Sequence, residues 1–167
     1  MTMKKLLVIV TIVALLFAGC VNNNNDSKQV KATPVEYKEC SVETYTTVMD
    51  SKGYSCVYYS AETLSDVPGI DYAIVAQPYG GYLIEYYVFD SFENGKIAYD
   101  EGVALAETYG AGTHENMAVD NQLSYVSNLE NSYYRYFLRD NVLIVISTRL
   151  SQYKEDAEEV ADLLIKK

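Results

Sequence analysis

One histidine, His114, is the residue through which any Ser–His or Cys–His catalysis would have to pass. It lies in the glycine-containing segment 109–122, beside Thr113 and Glu115. The chain has neither a Gly-x-Ser-x-Gly nucleophile elbow nor a cysteine-protease signature. A metal site needs three or four ligands, and one His–Glu pair supplies too few. We therefore interpret His114 as an ordinary loop residue, and we predict no catalytic residue, no metal site and no cofactor.

A hydrolase built on carboxylates is the enzyme class that the sequence leaves open as an alternative. Such an enzyme holds two carboxyl groups at a set separation around the bond that it cleaves. A cavity that brings together several of Asp66, Asp71, Glu85 and His114 would favour this alternative, and dispersed positions would count against it.

The first twenty residues have the pattern of an export signal. A basic start with Lys4 and Lys5 precedes twelve residues, 6–17, that are apolar apart from one Thr. At 1.5 Å per residue this run spans about 18 Å as a helix, too short for a hydrocarbon core of about 30 Å. The small residues Ala18 and Gly19 then suit a cleavage site. The pattern predicts a removable signal peptide at 1–19.

The residues at the end of this signal, Phe17-Ala18-Gly19-Cys20, resemble the lipobox of prokaryotic lipoproteins, with Phe in place of the usual Leu. The resemblance implies that Cys20 carries a diacylglyceryl group and becomes the N-terminus after cleavage. It also implies a cell-membrane location, facing outside the cytoplasm. Farther along, a tyrosine-rich strand, Phe89-Asp90 and an alanine-containing helix look like parts of small exported lipoproteins of uncharacterised function, and this likeness implies no activity.

The two remaining cysteines, Cys40 and Cys56, form an even pair, which in an exported chain permits a disulfide. In the entropy model such a bridge would stabilise the fold by about 3 kcal/mol. A predicted helix over 42–52 lies between them, however, and Cα atoms more than about 7 Å apart cannot be bridged. The sequence leaves two alternatives open, a disulfide and two separate buried thiols.

Composition limits the partners of the mature chain. After removal of 1–19, 148 residues remain, with 11 Lys and Arg against 23 Asp and Glu, a formal charge of −12. This charge argues against a nucleic-acid partner, because nucleic acids bind a basic surface. Residues 20–35 are polar and rich in Asn, and we predict a flexible tether that reaches about 50 Å. The rest, 36–167, is predicted to be one domain.

Periodicity and turn residues predict an α+β fold for this domain. Ser41 caps a first helix and Gly53 ends it. The segment after Asp90 is ambiguous, because Asn94-Gly95 is also a hairpin signal; we favour a helix. We expect an antiparallel sheet of about six strands with helices on one face, in an order compatible with two βββα halves. Predicted helices cover 42–52, 91–108 and 151–166, and predicted strands cover 55–60, 72–76, 82–89, 123–127, 133–138 and 142–147.

Tyrosine is the unusual component, with 17 Tyr, 4 Phe and no Trp. Neighbouring residues of a strand point to opposite faces, so paired tyrosines would place aromatic rings on both faces of the sheet. Packing on a half-buried sheet explains them. They would also form a recognition surface on a face that no helix covers, because Tyr is enriched at interfaces. The candidate interaction face comprises Tyr82, Tyr87, Tyr134 and Tyr136.

These features favour a non-enzymatic, membrane-anchored lipoprotein that binds an unknown protein or small ligand. The carboxylate hydrolase is the first alternative, and a small solute-binding accessory lipoprotein is the second.

Overall fold

The computed structural model describes Tyr37, residues 40–115 and residues 120–166. The predicted signal, Cys20 and the tether lie outside the described residues. The described helices are α1 (Val42–Lys52), α2 (Phe92–Glu107) and α3 (Lys154–Ile165), with a 3₁₀ turn over Ser151–Tyr153. None of the helices in these ranges is long and apolar enough to cross a membrane. The strands are β1 (Cys56–Ser60), β2 (Ile70–Tyr79), β3 (Tyr82–Phe89), β4 (Thr113–His114), β5 (Gln122–Asn128), β6 (Tyr133–Arg139) and β7 (Val142–Thr148).

The seven strands form one antiparallel sheet in the order β1-β2-β3-β7-β6-β5-β4. Two meanders, β1 to β3 and β5 to β7, meet where β3 pairs with β7. All seven residues of β7 take part in this pairing. This architecture confirms the predicted α+β class. The additional strand, β4, consists of two residues within the segment predicted as a loop, and so short a pairing leaves no periodic pattern in the sequence.

The helix termini follow the local sequence closely. Ser41 caps α1 by accepting a hydrogen bond from the Thr44 amide at 3.2 Å, and Gly53 ends it in the left-handed conformation at φ 71°. The ambiguous segment is a helix, as predicted, and Ser91 caps it by accepting a hydrogen bond from the Asn94 amide at 3.3 Å. The third predicted helix, over 151–166, begins with the 3₁₀ turn at Ser151, and no side-chain cap forms there or at the start of α3.

The helices lie on both faces of the sheet, and the prediction of one covered face was wrong. The first face packs against α1 and α3, whose Tyr45 and Val160 join Ile144 and Phe137 in one buried cluster. The second face packs against α2, where Gly102 lies directly over the Tyr136 ring. Phe137 and Tyr136 are neighbours on β6 and therefore point to opposite faces. Helices cover both faces because the central strands carry mostly apolar or aromatic side chains on both sides, and each side must be buried.

This placement also argues against two equivalent βββα halves. A twofold axis that exchanged the halves across the antiparallel β3–β7 pair would stand perpendicular to the sheet. It would therefore leave the two following helices, α2 and α3, on the same face. They lie on opposite faces instead, so any equivalence is limited to the strands.

Tyrosine hydroxyl groups reach backbone carbonyls inside the core. The Tyr45 hydroxyl donates to the Ile84 carbonyl at 2.8 Å, and the Tyr86 hydroxyl donates to the Cys40 carbonyl at 3.2 Å. A buried hydroxyl without a partner costs free energy, so these bonds allow tyrosines to occupy positions that would otherwise require Phe or Leu. The abundance of tyrosine is in this way compatible with a closely packed interior.

We expect Gly102→Ala to destabilise the protein although Ala is the better helix former by about 1 kcal/mol. A Cβ atom at this position would lie 2.4 Å from Cε1 of the buried Tyr136 ring, and overpacking of a core typically costs about 1–3 kcal/mol. Urea denaturation should give a net loss of about 1 kcal/mol or more. Glu101→Ala, at the neighbouring exposed position, is the control. An increase in stability for Gly102→Ala would contradict this close contact.

Candidate functional site

The predicted interaction face is not exposed. The accessible fractions of Tyr82, Tyr87, Tyr134 and Tyr136 are 0%, 9%, 3% and 7%. Because helices cover both faces of the sheet, these rings lie in the interior. Tyr82 lies on the face that packs against α1 and α3, and the other three lie on the α2 face. A protein-binding surface must therefore be sought elsewhere on the chain.

The two candidate cysteines are not joined in a disulfide, with Cys40 buried and Cys56 exposed. Cys40 immediately precedes the α1 cap, whereas Cys56 begins β1 opposite Ala76. The sequence left the disulfide and two buried thiols open, and the structure has separate thiols of which only one is buried. Partial burial and the nearby Asp50 charge raise the pKa of the Cys56 thiol, which favours its unreactive protonated form.

The residues that would have supported a carboxylate hydrolase do not converge. Asp66 and Asp71 are exposed near the beginning of β2, and Glu85 is buried within β3. His114 lies on β4 at the opposite edge of the sheet, 3.9 Å from Glu107. No specific observation therefore favours the hydrolase alternative.

Glu85 is a carboxyl group enclosed in the sheet. It is 5% exposed, lies between Val75 and Val145 on the neighbouring strands, and accepts a hydrogen bond of 2.7 Å from the Tyr87 hydroxyl. Burial raises the pKa of Glu85 to about 7, although the Tyr87 hydrogen bond lowers it in part. Desolvation penalises the charged form, so this position destabilises the fold when the group ionises.

We expect Glu85→Gln to remove a pH-dependent loss of stability. The folded state binds this proton more tightly than the unfolded state, whose pKa is near 4.5, so stability falls as pH rises from about 4.5 to 7. The shift corresponds to about 3 kcal/mol. Urea denaturation between pH 5 and 8 should show that the free energy of unfolding of the variant increases relative to that of the wild type as pH rises. The exposed-site control Glu62→Gln should show no such relative increase. If the free energies of unfolding of the wild type and Glu85→Gln changed with pH in parallel, this would contradict the raised pKa of Glu85.

The outer strand β1 presents exposed apolar side chains at one edge of the sheet. Its neighbouring residues Val57 and Tyr58 are 53% and 62% exposed, more than any other large apolar side chains among the described residues. They point to opposite faces of the sheet, and the Tyr58 ring stacks on Tyr72 at a centroid distance of 5.5 Å. One edge of β1 pairs with β2 through all five residues. No strand in the described ranges pairs with the other edge.

This edge lacks the features that usually prevent strands from pairing between molecules. Native edge strands are commonly very short, charged, interrupted by Pro or displaced by a bulge. The outer strand at the other end of the sheet, β4, has only two residues. In contrast, β1 has the sequence Cys-Val-Tyr-Tyr-Ser, which contains no charge and no Pro, and its pairing with β2 is regular. β1 therefore offers a regular edge of five residues for pairing.

Carboxylates surround β1 without a compensating basic group in the described chain. Asp50 lies close enough to Cys56 to affect its pKa, Asp71 acts in the same way on Tyr72, and Glu62 follows the strand by two residues. All three are exposed. Lys52 is nearby in sequence, but it forms ion pairs with Asp156 and Glu159 at 2.9 and 2.6 Å. The edge is therefore apolar along the strand and acidic at its ends.

A buried ionic cluster on the α3 side of the sheet was missed in the sequence. Arg135 is 4% exposed and forms an ion pair with Glu115 at 2.6 Å. Its second terminal nitrogen donates to the Tyr37 hydroxyl at 3.1 Å, and Tyr37 and Ser124 each donate to the same Glu115 oxygen. The available signal was an arginine between aromatic residues in a strand predicted to be buried, since such a charge must be paired.

Metal binding receives no support from the described side chains. No three His, Cys, Asp or Glu residues among them are placed to hold a metal ion. Neither a protein-family model nor a curated protein matches the chain. The interpretation of the site therefore rests on the geometry of β1 and on the sequence.

Proposed function

We propose that this chain is a lipid-anchored, exported interaction module that binds an extended segment of a partner protein along the free edge of β1. The observation that carries the proposal is the exposure of a regular, uncharged and aromatic strand edge. Strand addition joins a peptide to such an edge through main-chain hydrogen bonds, and alternate side chains contribute specificity. No catalytic step is needed for this role.

The dimensions of β1 set the length of the partner segment. Five residues span about 16 Å, so the partner would contribute about five extended residues. Val57 and Tyr58 would then contact partner side chains on the two faces of the enlarged sheet. Cross-strand pairs of aromatic and β-branched residues stabilise such pairing by about 0.2–1 kcal/mol each.

The charge distribution indicates the chemistry of the partner. Asp50, Glu62 and Asp71 surround an uncharged strand, so a complementary segment is apolar in its middle and has Lys or Arg beyond both ends. Electrostatic complementarity of this kind increases the association rate and excludes acidic competitors. It also disfavours a second copy of this acidic chain, which would bring the same three carboxylates to the contact.

The membrane anchor in this proposal is supported by the N-terminal sequence. A diacylglyceryl group on Cys20 would hold the chain at a membrane because two acyl chains anchor far more stably than one. The polar residues 21–35 would then separate β1 from the lipid surface, so that an extended partner segment could approach its free edge.

We expect Cys20→Ala to abolish lipid attachment in a bacterial host that processes lipoproteins. Metabolic labelling with an alkyne-tagged fatty acid should label the wild type and the control variant Cys40→Ala, but not Cys20→Ala. The wild type should fractionate with membranes, because each buried methylene contributes about 0.8 kcal/mol to anchoring. Label retained in Cys20→Ala would exclude this anchor without affecting the proposed role of β1.

We expect a fluorescent peptide of sequence Lys-Val-Thr-Val-Thr-Val-Lys to bind residues 36–167, as measured by fluorescence anisotropy. Tyr58→Lys should weaken binding by about tenfold, or about 1.4 kcal/mol, because it places a charge on the edge that repels the peptide ends. Ile97→Lys introduces the same charge at a residue of α2 that is 50% exposed, and it should bind like the wild type.

Two modified peptides separate strand pairing from general attraction. Alternate N-methylation removes donors on one peptide edge and should abolish binding, and Glu in place of both terminal Lys residues should weaken it. Unchanged binding of the N-methylated peptide, or equal binding by Tyr58→Lys, would contradict strand addition. A wild-type dimer in sedimentation that Tyr58→Lys dissociates would identify a second copy as the occupant and overturn the proposed partner.

A further inference from the structure

A polar cavity of about 190 Å³ lies between α3 and strands β5 and β6. It is on the far side of the sheet from β1, because β2, β3 and β7 separate β1 from β6. Its polar lining includes side chains from the two strands, from α3 and from the segment after β4. These are Glu115, Asn128, Tyr133, Arg135, Glu158 and Asp162.

The inner wall of this cavity is held in place by the buried ionic cluster. Arg135 is fixed by Glu115 and Tyr37, as described above. Burial raises the pKa of Glu115, but the Tyr37 hydrogen bond and the Arg135 charge lower it more, and the net shift is downward. Glu115 is therefore ionised at neutral pH, and its charge is balanced by Arg135.

The outer wall has an excess of negative charge. Glu158 is half-buried and accepts a hydrogen bond of 2.5 Å from the neutral amide of Asn128. Asp162 is balanced by Lys166 at 2.5 Å. The lining as a whole therefore contains two basic groups, Arg135 and Lys166, and three carboxylates. The carboxylates are those of Glu115, Glu158 and Asp162. Lys154, one turn before Glu158 on α3, donates to the Leu129 and Glu130 carbonyls, so Glu158 is the one lining carboxylate that forms no ion pair with a described residue.

Tyr133 supplies an unused hydrogen-bonding group in the same cavity. Its side chain is only 5% exposed and lines the cavity, and its hydroxyl is not among the enclosed hydroxyl groups without a partner, so it opens into the cavity rather than into the packed interior. Burial raises the pKa of Tyr133, and the charges that act on it are those of Arg135, Glu158, Asp162 and Glu115, all of which line the cavity. A hydroxyl that opens into a polar cavity can bond to water or to a bound molecule there, so a ligand with a hydrogen-bonding group would find a partner in Tyr133.

We propose that this cavity binds a small organic ammonium ion, whose N–H groups donate to the Glu158 carboxylate and the Tyr133 hydroxyl. A protonated amine balances the unpaired charge, and charge-assisted hydrogen bonds of this kind are about twice as strong as neutral ones. The cavity volume corresponds to roughly six water molecules, which limits the ligand to a few non-hydrogen atoms. This site is independent of the function proposed for β1.

The test follows the Tyr133 ring by NMR in protein labelled with ¹³C at the tyrosine ζ carbon, with Tyr133→Phe used to assign its signal. Titration with ethylammonium chloride should give a saturable shift. Sodium chloride at the same ionic strength and sodium propionate should give none. Glu158→Gln should weaken ethylammonium binding by about tenfold or more. Glu159→Gln removes the same charge from the next residue, which contacts Lys52, and should bind like the wild type.

A second variant keeps the test decisive if Glu158→Gln does not fold. Asn128 is exposed at the mouth of the cavity, and Asn128→Asp adds a carboxylate there, which should tighten ethylammonium binding. A shift that does not saturate, an equal shift with sodium chloride or propionate, or unchanged affinity in these variants would overturn the proposal.

Discussion

The burial of the central strands on both faces is the constraint on which the rest of the structure depends. Strands β3, β6 and β7 pair on both edges and are covered by α1 and α3 on one face and by α2 on the other. A polar side chain on the buried part of these strands therefore costs free energy unless it finds a partner inside the protein. Two tyrosines of these strands have such a partner, because the Tyr86 hydroxyl donates to a carbonyl and the Tyr87 hydroxyl donates to a carboxylate. The hydroxyls of Tyr82 and Tyr134 are buried without a hydrogen-bond partner among the described residues.

Two ionisable residues of these strands meet the same constraint in different ways. Arg135 keeps its charge, because Glu115 and Tyr37 lie against its guanidinium group. Glu85 has no basic partner among the described residues, so burial raises its pKa to about 7, and the hydrogen bond from the Tyr87 hydroxyl lowers the pKa only in part. A buried ion pair is a weak source of net stability, whereas a buried unpaired carboxyl makes stability depend on pH.

A sheet covered in this way leaves few places for recognition. Helices cover both faces of its central strands, and β4 offers only two residues, which is why we propose the free edge of β1 and the cavity beside α3 as binding surfaces. They differ in chemistry. The edge of β1 is apolar and presents main-chain groups, whereas the cavity is polar and carries an unbalanced charge. One suits an extended polypeptide and the other a small cation.

The sequence by itself determined the α+β class and the position of each helix and most strands, because caps, turns and periodicity act over a few residues. Ser41 and Gly53 mark the two ends of α1 in this way. Only the tertiary structure decided which tyrosines are buried, because an amphipathic ring fits either face and the strand pattern does not identify the helix that covers it. The tertiary structure also decided which residues form the candidate sites. Arg135 contacts Tyr37 across 98 positions of the chain, and β1 is an edge strand because of the order in which the strands pair. Contacts over such separations depend on how the elements pack, which no local pattern records.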